Sequence, residues 1–149
     1  MSQTAVLHKI LHVREQEKKD AQMEQISARN YFEEVATQLY SELKTKEQAE
    51  QTLDNYMQAS SAITKIKEQS LYIHALNKKI MVLQQQVQQA RKQMEDKQEI
   101  LTEAHVEVKK IETMIGHREK EIIAHKEKLE SMMMDEISIR QFNTQVQNR

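Results

Sequence analysis

The sequence predicts an all-α fold: a long antiparallel two-helix coiled coil, a helical hairpin whose second helix is longer than the first. Three observations carry this. The chain has 149 residues with no proline and a single glycine, Gly116. Those two residue types punctuate the turns of compact folds, so their near absence leaves room for few elements. Gln, Glu, Lys, Ala, Leu and Met dominate, and all are good helix formers. The third observation is a heptad seam in the second half. Steps of 4, 3, 4, 3 from Leu76 pass through Ile80, Leu83, Val87, Ala90, Met94, Lys97, Leu101, Ala104, Val108, Ile111, Ile115, Arg118, Ile122, His125, Leu129, Met132, Glu136 and Ile139, and fifteen of these nineteen positions are apolar. An unbroken spacing of about 3.5 residues marks a left-handed coiled coil, because the stripe of a straight helix drifts away from its partner.

A single coiled-coil domain over residues 1–149 follows, with a helix over about 5–57, a turn over about 58–61, a helix over about 62–140 and a loose tail over 141–149. The first helix carries a weaker stripe: Leu7, Leu11, Ala21, Ala28, Phe32, Val35, Leu39, Ala49, Leu53 and Tyr56. Arg14, Lys18, Gln25, Glu42 and Lys46 interrupt it. Long charged side chains can lay their stems along a seam and keep their heads in water, so the interruptions argue for looser packing and not for disorder. Met57-Gln58-Ala59-Ser60-Ser61-Ala62 separates the halves and is the one stretch where charge disappears and small hydroxyl residues gather. Ser60 or Ser61 is the expected N-cap of the second helix. A helix continuing through this stretch is the alternative.

A turn near residue 59 makes the helices antiparallel and opposes residues whose numbers add to about 119. Phe32 then faces Val87, Leu39 faces Ile80, and Leu11 faces Val108. The first helix, ~80 Å long, runs out opposite residue ~114, whereas the second spans ~120 Å. Gly116 sits at that point and marks where the second helix leaves the hairpin, with a bend as an option. Residues 117–140 would project with Ile122, Leu129, Met132 and Ile139 open to a partner, because an apolar stripe of that length is not left bare in water. Met132-Met133-Met134 lies on this stretch and reads equally as seam plus neighbours or as an adaptable contact surface.

Composition excludes several classes of function. A net charge of −1, from 22 basic and 23 acidic residues, offers no basic excess for nucleic acid. No run approaches the ~18 apolar residues of a membrane span, and the N-terminus lacks a signal-peptide core. The expectation is a soluble intracellular protein without membrane insertion. His8 and His12 share a helix face with His105 nearby across the hairpin, a geometry that can hold a metal but more simply reads as solvated residues. No HExxH, Walker, GxSxG or cysteine signature occurs, and a two-helix layer builds no pocket for acid–base chemistry. No cofactor is expected, and the protein is not expected to be an enzyme.

Ordered motifs along the chain resemble one family. They are Leu7-x2-Ile10-Leu11-x-Val13-Arg14-Glu15-x-Glu17, Leu71-Tyr72-Ile73-x2-Leu76-x3-Ile80, Leu101-Thr102-Glu103-x3-Glu107-Val108-Lys109-Lys110 and Met134-Asp135-Glu136-Ile137-Ser138-Ile139-Arg140-Gln141-Phe142. Together they resemble the FliJ family of the flagellar export apparatus. The resemblance implies a coiled-coil stalk similar to the central stalk of rotary ATPases. Such a stalk engages the export ATPase hexamer, couples it to the cytoplasmic domain of the membrane export gate, and binds export chaperones. It implies a place on the cytoplasmic side of the cell membrane at the flagellar base, and a need for the protein in motility and chemotaxis. The family's tip contact for the gate matches Tyr72 and Leu76. Its ATPase contact puts Leu7, Leu11, Ile122, Leu129 and Ile139 at the open end. The turn departs from the family, many of whose members place glycine where this chain has Ala59-Ser60. A self-associating structural coiled coil, or a stalk homologue from an injectisome, is the competing reading.

Overall fold

The computed structural model describes residues 2–148, with side chains from residue 4. Two helices account for them: α1, Ser2–Gln58, of 57 residues, and α2, Ile63–Gln147, of 85 residues. The fold is the expected all-α hairpin with the longer helix second. Packing divides the chain into two units, one comprising α1 up to Glu17 and α2 from Ala104 onward, the other Lys18–Glu103.

In the Lys18–Glu103 unit the helices meet along the expected seam. The buried positions of α2 are Leu76, Ile80, Leu83, Val87 and Ala90, which repeat the 4, 3, 4, 3 steps. Those of α1 in this unit are Ala21, Val35 and Ala49, two heptads apart. Val35 packs with Leu83 and Val87, and Phe32 and Leu39 close over them. The Arg91 guanidinium lies 5.8 Å from the centre of the Phe32 ring. Two charged interruptions of the seam are answered from the opposite helix. Glu42 pairs with Lys79 Nζ at 2.9 Å, and Lys97 Nζ donates to Glu24 at 3.1 Å. Gln69 Nε2 donates to the Ala49 carbonyl at 3.0 Å. The numbers of these cross-helix pairs add to between 118 and 123, within about one helical turn of the predicted antiparallel register. Burial of one large aliphatic side chain contributes ~1.5–3 kcal/mol. An exposed ion pair contributes ~0.2–1 kcal/mol. The apolar seam therefore supplies the stability, and the ion pairs select the register.

The turn spans residues 59–62, and its chemistry differs from expectation. Ser60 does not cap α2. It has φ 53°, the left-handed conformation, and it closes α1. The Ser60 N–H donates to the Met57 carbonyl at 3.3 Å and the Ser61 N–H to the Tyr56 carbonyl at 3.0 Å. This is the double bond pattern of a Schellman ending, which satisfies the orphan carbonyls of the last turn. Ala62 stands at the start of α2, where its carbonyl accepts from Lys65 and Ile66, and it has no side-chain oxygen with which to cap. The serines serve the helix before them because a hairpin must first reverse the chain. That reversal needs one left-handed residue, and glycine is not available here.

Two further differences concern α2. Residues 141–147, expected as a loose tail, are helical, and the Asn148 N–H still donates to the Thr144 carbonyl at 3.1 Å. Nothing from Phe142 to Gln147 breaks a helix, and the Thr144 hydroxyl donates to the Arg140 carbonyl, four residues back. At Gly116 the helix is uninterrupted, with no positive φ. A Cβ there would meet nothing within 4 Å.

Both observations predict gains in stability. Ser60→Gly removes the cost of a left-handed non-glycine residue and is expected to stabilise the chain by ~1 kcal/mol. Gly116→Ala raises helix propensity at an open position and is expected to add ~0.5–1 kcal/mol. Urea unfolding followed by circular dichroism checks both, and a loss of stability in either variant contradicts the assignment.

Candidate functional site

With only two helices, function has to reside on exposed faces. The surface depressions are shallow and open. One, on α2, is lined by Arg118, Glu121, Ile122, His125, Lys126 and Leu129. No group of three or more potential metal ligands lies together among the described residues, and His8, His12 and His105 form none. Among the described residues no helix is long and apolar enough to cross a membrane. Apolar side chains left outside the seam remain as candidates; they occur along both helices, and those near the turn and beyond Arg118 include the sequence-predicted contacts.

Near the turn, α2 begins with Ile66, Gln69 and Ile73 half-buried, which extends the seam back from Leu76. Lys65 Nζ lies 5.9 Å from the centre of the Tyr56 ring, and the Gln69–Ala49 bond ties the two helices one turn further on. The two residues expected to form the tip contact are separated by this geometry. Tyr72 is 48% exposed, whereas Leu76 is only 7% exposed and belongs to the seam. Four residues along a helix ordinarily share a face. The coiled-coil frame, however, puts Leu76 on the inner edge and Tyr72 on the flank. Ile63 and Leu71, at 74% and 69% exposure, stand out further than Tyr72. Sequence reasoning missed these two. The signal for them was present, because both fall off the 4, 3 ladder extended back from Leu76.

The unit built from the start of α1 and the end of α2 holds the other five residues. Val108 and Ile115 are buried there, and Leu7, Leu11 and Arg14 are half-buried. Burial stops abruptly. Arg118 is the last residue of α2 that is even half-buried, and every described residue from Glu119 onward is exposed. Ile122, Leu129 and Ile139 are therefore bare, along with Met132. Ile123, Met133, Ile137 and Phe142 flank them and are exposed too. Leu7 and Leu11 thus face the seam, while the three isoleucine and leucine positions of α2 face solvent. Two ion pairs form within this stretch of the helix, Arg118–Glu121 at 3.9 Å and Arg140–Glu136 at 2.9 Å.

These features define a helical-hairpin coiled-coil protein with apolar side chains exposed outside its seam. A family model described as "Flagellar FliJ protein" matches residues 3–147. The curated "Flagellar FliJ protein" of Bacillus subtilis (strain 168) is 34% identical over 137 residues, which cover 92% of this chain and 93% of that protein. No solved structure matches the chain. The chain belongs to the flagellar FliJ family and is accordingly a component of flagellar protein export.

The split between Tyr72 and Leu76 gives a direct test. Leu76→Ala is expected to destabilise the hairpin by ~2–3 kcal/mol, as for a buried leucine. Tyr72→Ala is expected to change stability by less than ~0.5 kcal/mol, as for a surface residue. Equal effects in chemical denaturation would show that the two share one environment.

Proposed function

We propose that this chain is the non-enzymatic stalk of flagellar export. Its open end engages the export ATPase hexamer, and its turn end contacts the cytoplasmic domain of the membrane export gate. Export chaperones bind it as well, and it works at the cytoplasmic face of the cell membrane, so that flagellar assembly, motility and chemotaxis depend on it. The observation that carries this reading is the uncovered stripe of Ile122, Leu129, Met132 and Ile139 on an unbroken helix. Bare aliphatic side chains repeating along one helix face are what a partner groove recognises. Leu7 and Leu11, half-buried beneath, hold the start of α1 against α2 and so set where the stripe begins. At the turn end, Tyr72 is the contact residue and Leu76 positions it from inside the seam.

Exposed polar faces support a sliding or rearranging role within a ring. Gln84, Gln85, Gln86, Gln88 and Gln89 form an uncharged exposed stretch beside the buried Val87 and Ala90, and such side chains make many weak contacts of similar strength. The absence of a catalytic constellation in the sequence motifs fits a coupling factor that acts through binding.

Pull-down with the purified export ATPase tests the open end. A triple Ile122→Ser, Leu129→Ser, Ile139→Ser variant is expected to lose ATPase capture by tenfold or more, since each removed aliphatic contact is worth ~1 kcal/mol or more at an interface. Its helical circular dichroism should stay close to that of the parent. Tyr72→Ala is expected to retain ATPase capture and lose gate capture and swimming. Full ATPase capture by the triple variant would remove the stripe from the interface.

A further inference from the structure

We propose that the uncovered stripe of α2 is also an antiparallel docking surface for a second copy of this chain. The proposal rests on register and charge and stands apart from the export reading. Beyond Arg118 the stripe reads Ile122, His125, Leu129, Met132, Glu136 and Ile139, all exposed. In an antiparallel coiled coil the two kinds of seam position face each other across the interface. Setting Leu129 against Met132 of the second copy places Ile122 against Ile139. It also places His125 against Glu136, so the two polar interruptions of the stripe meet one another and no apolar residue opposes a charge. Arg118 then faces Asn143, where the helix is still intact.

The flanking positions agree. In the same register Glu119 lies beside Arg140 of the second copy, and Lys128 lies beside Asp135. The two-fold axis repeats each pair, and no like charges oppose one another at these flanks. Opposite charges at such positions set partner and orientation, and like charges disfavour it. The parallel alternative places His125 on His125 and Glu136 on Glu136. The antiparallel arrangement pairs residues 118–143 of each copy, ~39 Å of helix and between three and four heptads, long enough to sustain a coiled coil. It also continues an interface already present. The start of α1 buries Val108 and Ile115 on the same seam, and the second copy takes up the seam where that burial ends. Self-pairing and engagement of another partner through this stripe exclude one another, so the dimer is a form in which the stripe is covered before assembly.

The chain has no cysteine, so introduced ones report cleanly. Full-length Ile122→Cys and Ile139→Cys chains are mixed and oxidised. A disulfide joining one of each is expected, with little from either variant alone. Efficient cross-linking of Ile122→Cys to itself indicates parallel pairing and overturns the proposal. Sedimentation equilibrium supplies the second arm. The parent is expected to dimerise with rising concentration. Lys128→Glu turns two attractive pairs into two repulsive ones and should weaken association by about tenfold or more. Adding Asp135→Lys to that variant should restore it. A chain that stays monomeric up to ~1 mM, where even an interface worth only ~4 kcal/mol is substantially formed, overturns the proposal, as does a double variant no tighter than the single one.

Discussion

Everything in this molecule depends on one constraint: each helix has only a single narrow face apolar enough to bury. With two phenylalanines, four tyrosines and no tryptophan, no second layer can be built on the outside of the helices. Long isolated helices owe most of their stability in proteins to packing of an amphipathic face. The seam of Leu76, Ile80, Leu83, Val87 and Ala90 against Ala21, Val35 and Ala49 is therefore the element on which the rest stands. Alanines in three of these positions let the backbones approach closely. The Val35, Leu83 and Val87 cluster provides the volume between them.

The charged interruptions have a different task. Glu42 and Lys97 would weaken a purely apolar stripe, but each meets an opposite charge on the other helix. A heptad repeat by itself looks the same after a shift of seven residues, so apolar residues alone specify register poorly. Ion pairs at single positions break that degeneracy at small energetic cost. The same logic extends past Arg118. There the stripe again mixes aliphatic residues with His125 and Glu136, and in the antiparallel pairing proposed above these two positions would oppose one another.

The unequal lengths of α1 and α2 leave part of the structural seam uncovered. Where α1 is present, a seam residue such as Ile115 is core. One and two heptads further on, the chemically similar Ile122 and Leu129 are exposed because nothing lies over them. The tyrosine and leucine near the turn show the converse. They are neighbours in sequence spacing, yet one is flank and the other core, so only one is free to touch a partner.

Much of this was legible in the sequence. Composition and the 4, 3 ladder determined two long helices, their antiparallel pairing near a turn at residue 59 and the bare end past Gly116, since all of these follow from where apolar residues recur. The flagellar resemblance was likewise carried by ordered local motifs. Local signals did not decide the roles of Ser60, Leu76 and the last residues of α2. Ser60 has the chemistry of an N-cap, but reversing the chain required one left-handed residue, and closing α1 claimed it. Leu76 matches a contact motif, but burial against the opposite helix claimed its side chain. Residues 141–147 have no seam to bury, and their helix is held by backbone and threonine hydrogen bonds that periodicity does not report. Residues 141–147 simply continue the helix that precedes them, whereas for Ser60 and Leu76 a backbone or packing demand of the hairpin outweighed the residue's own preference. That demand exists only once the chain is folded.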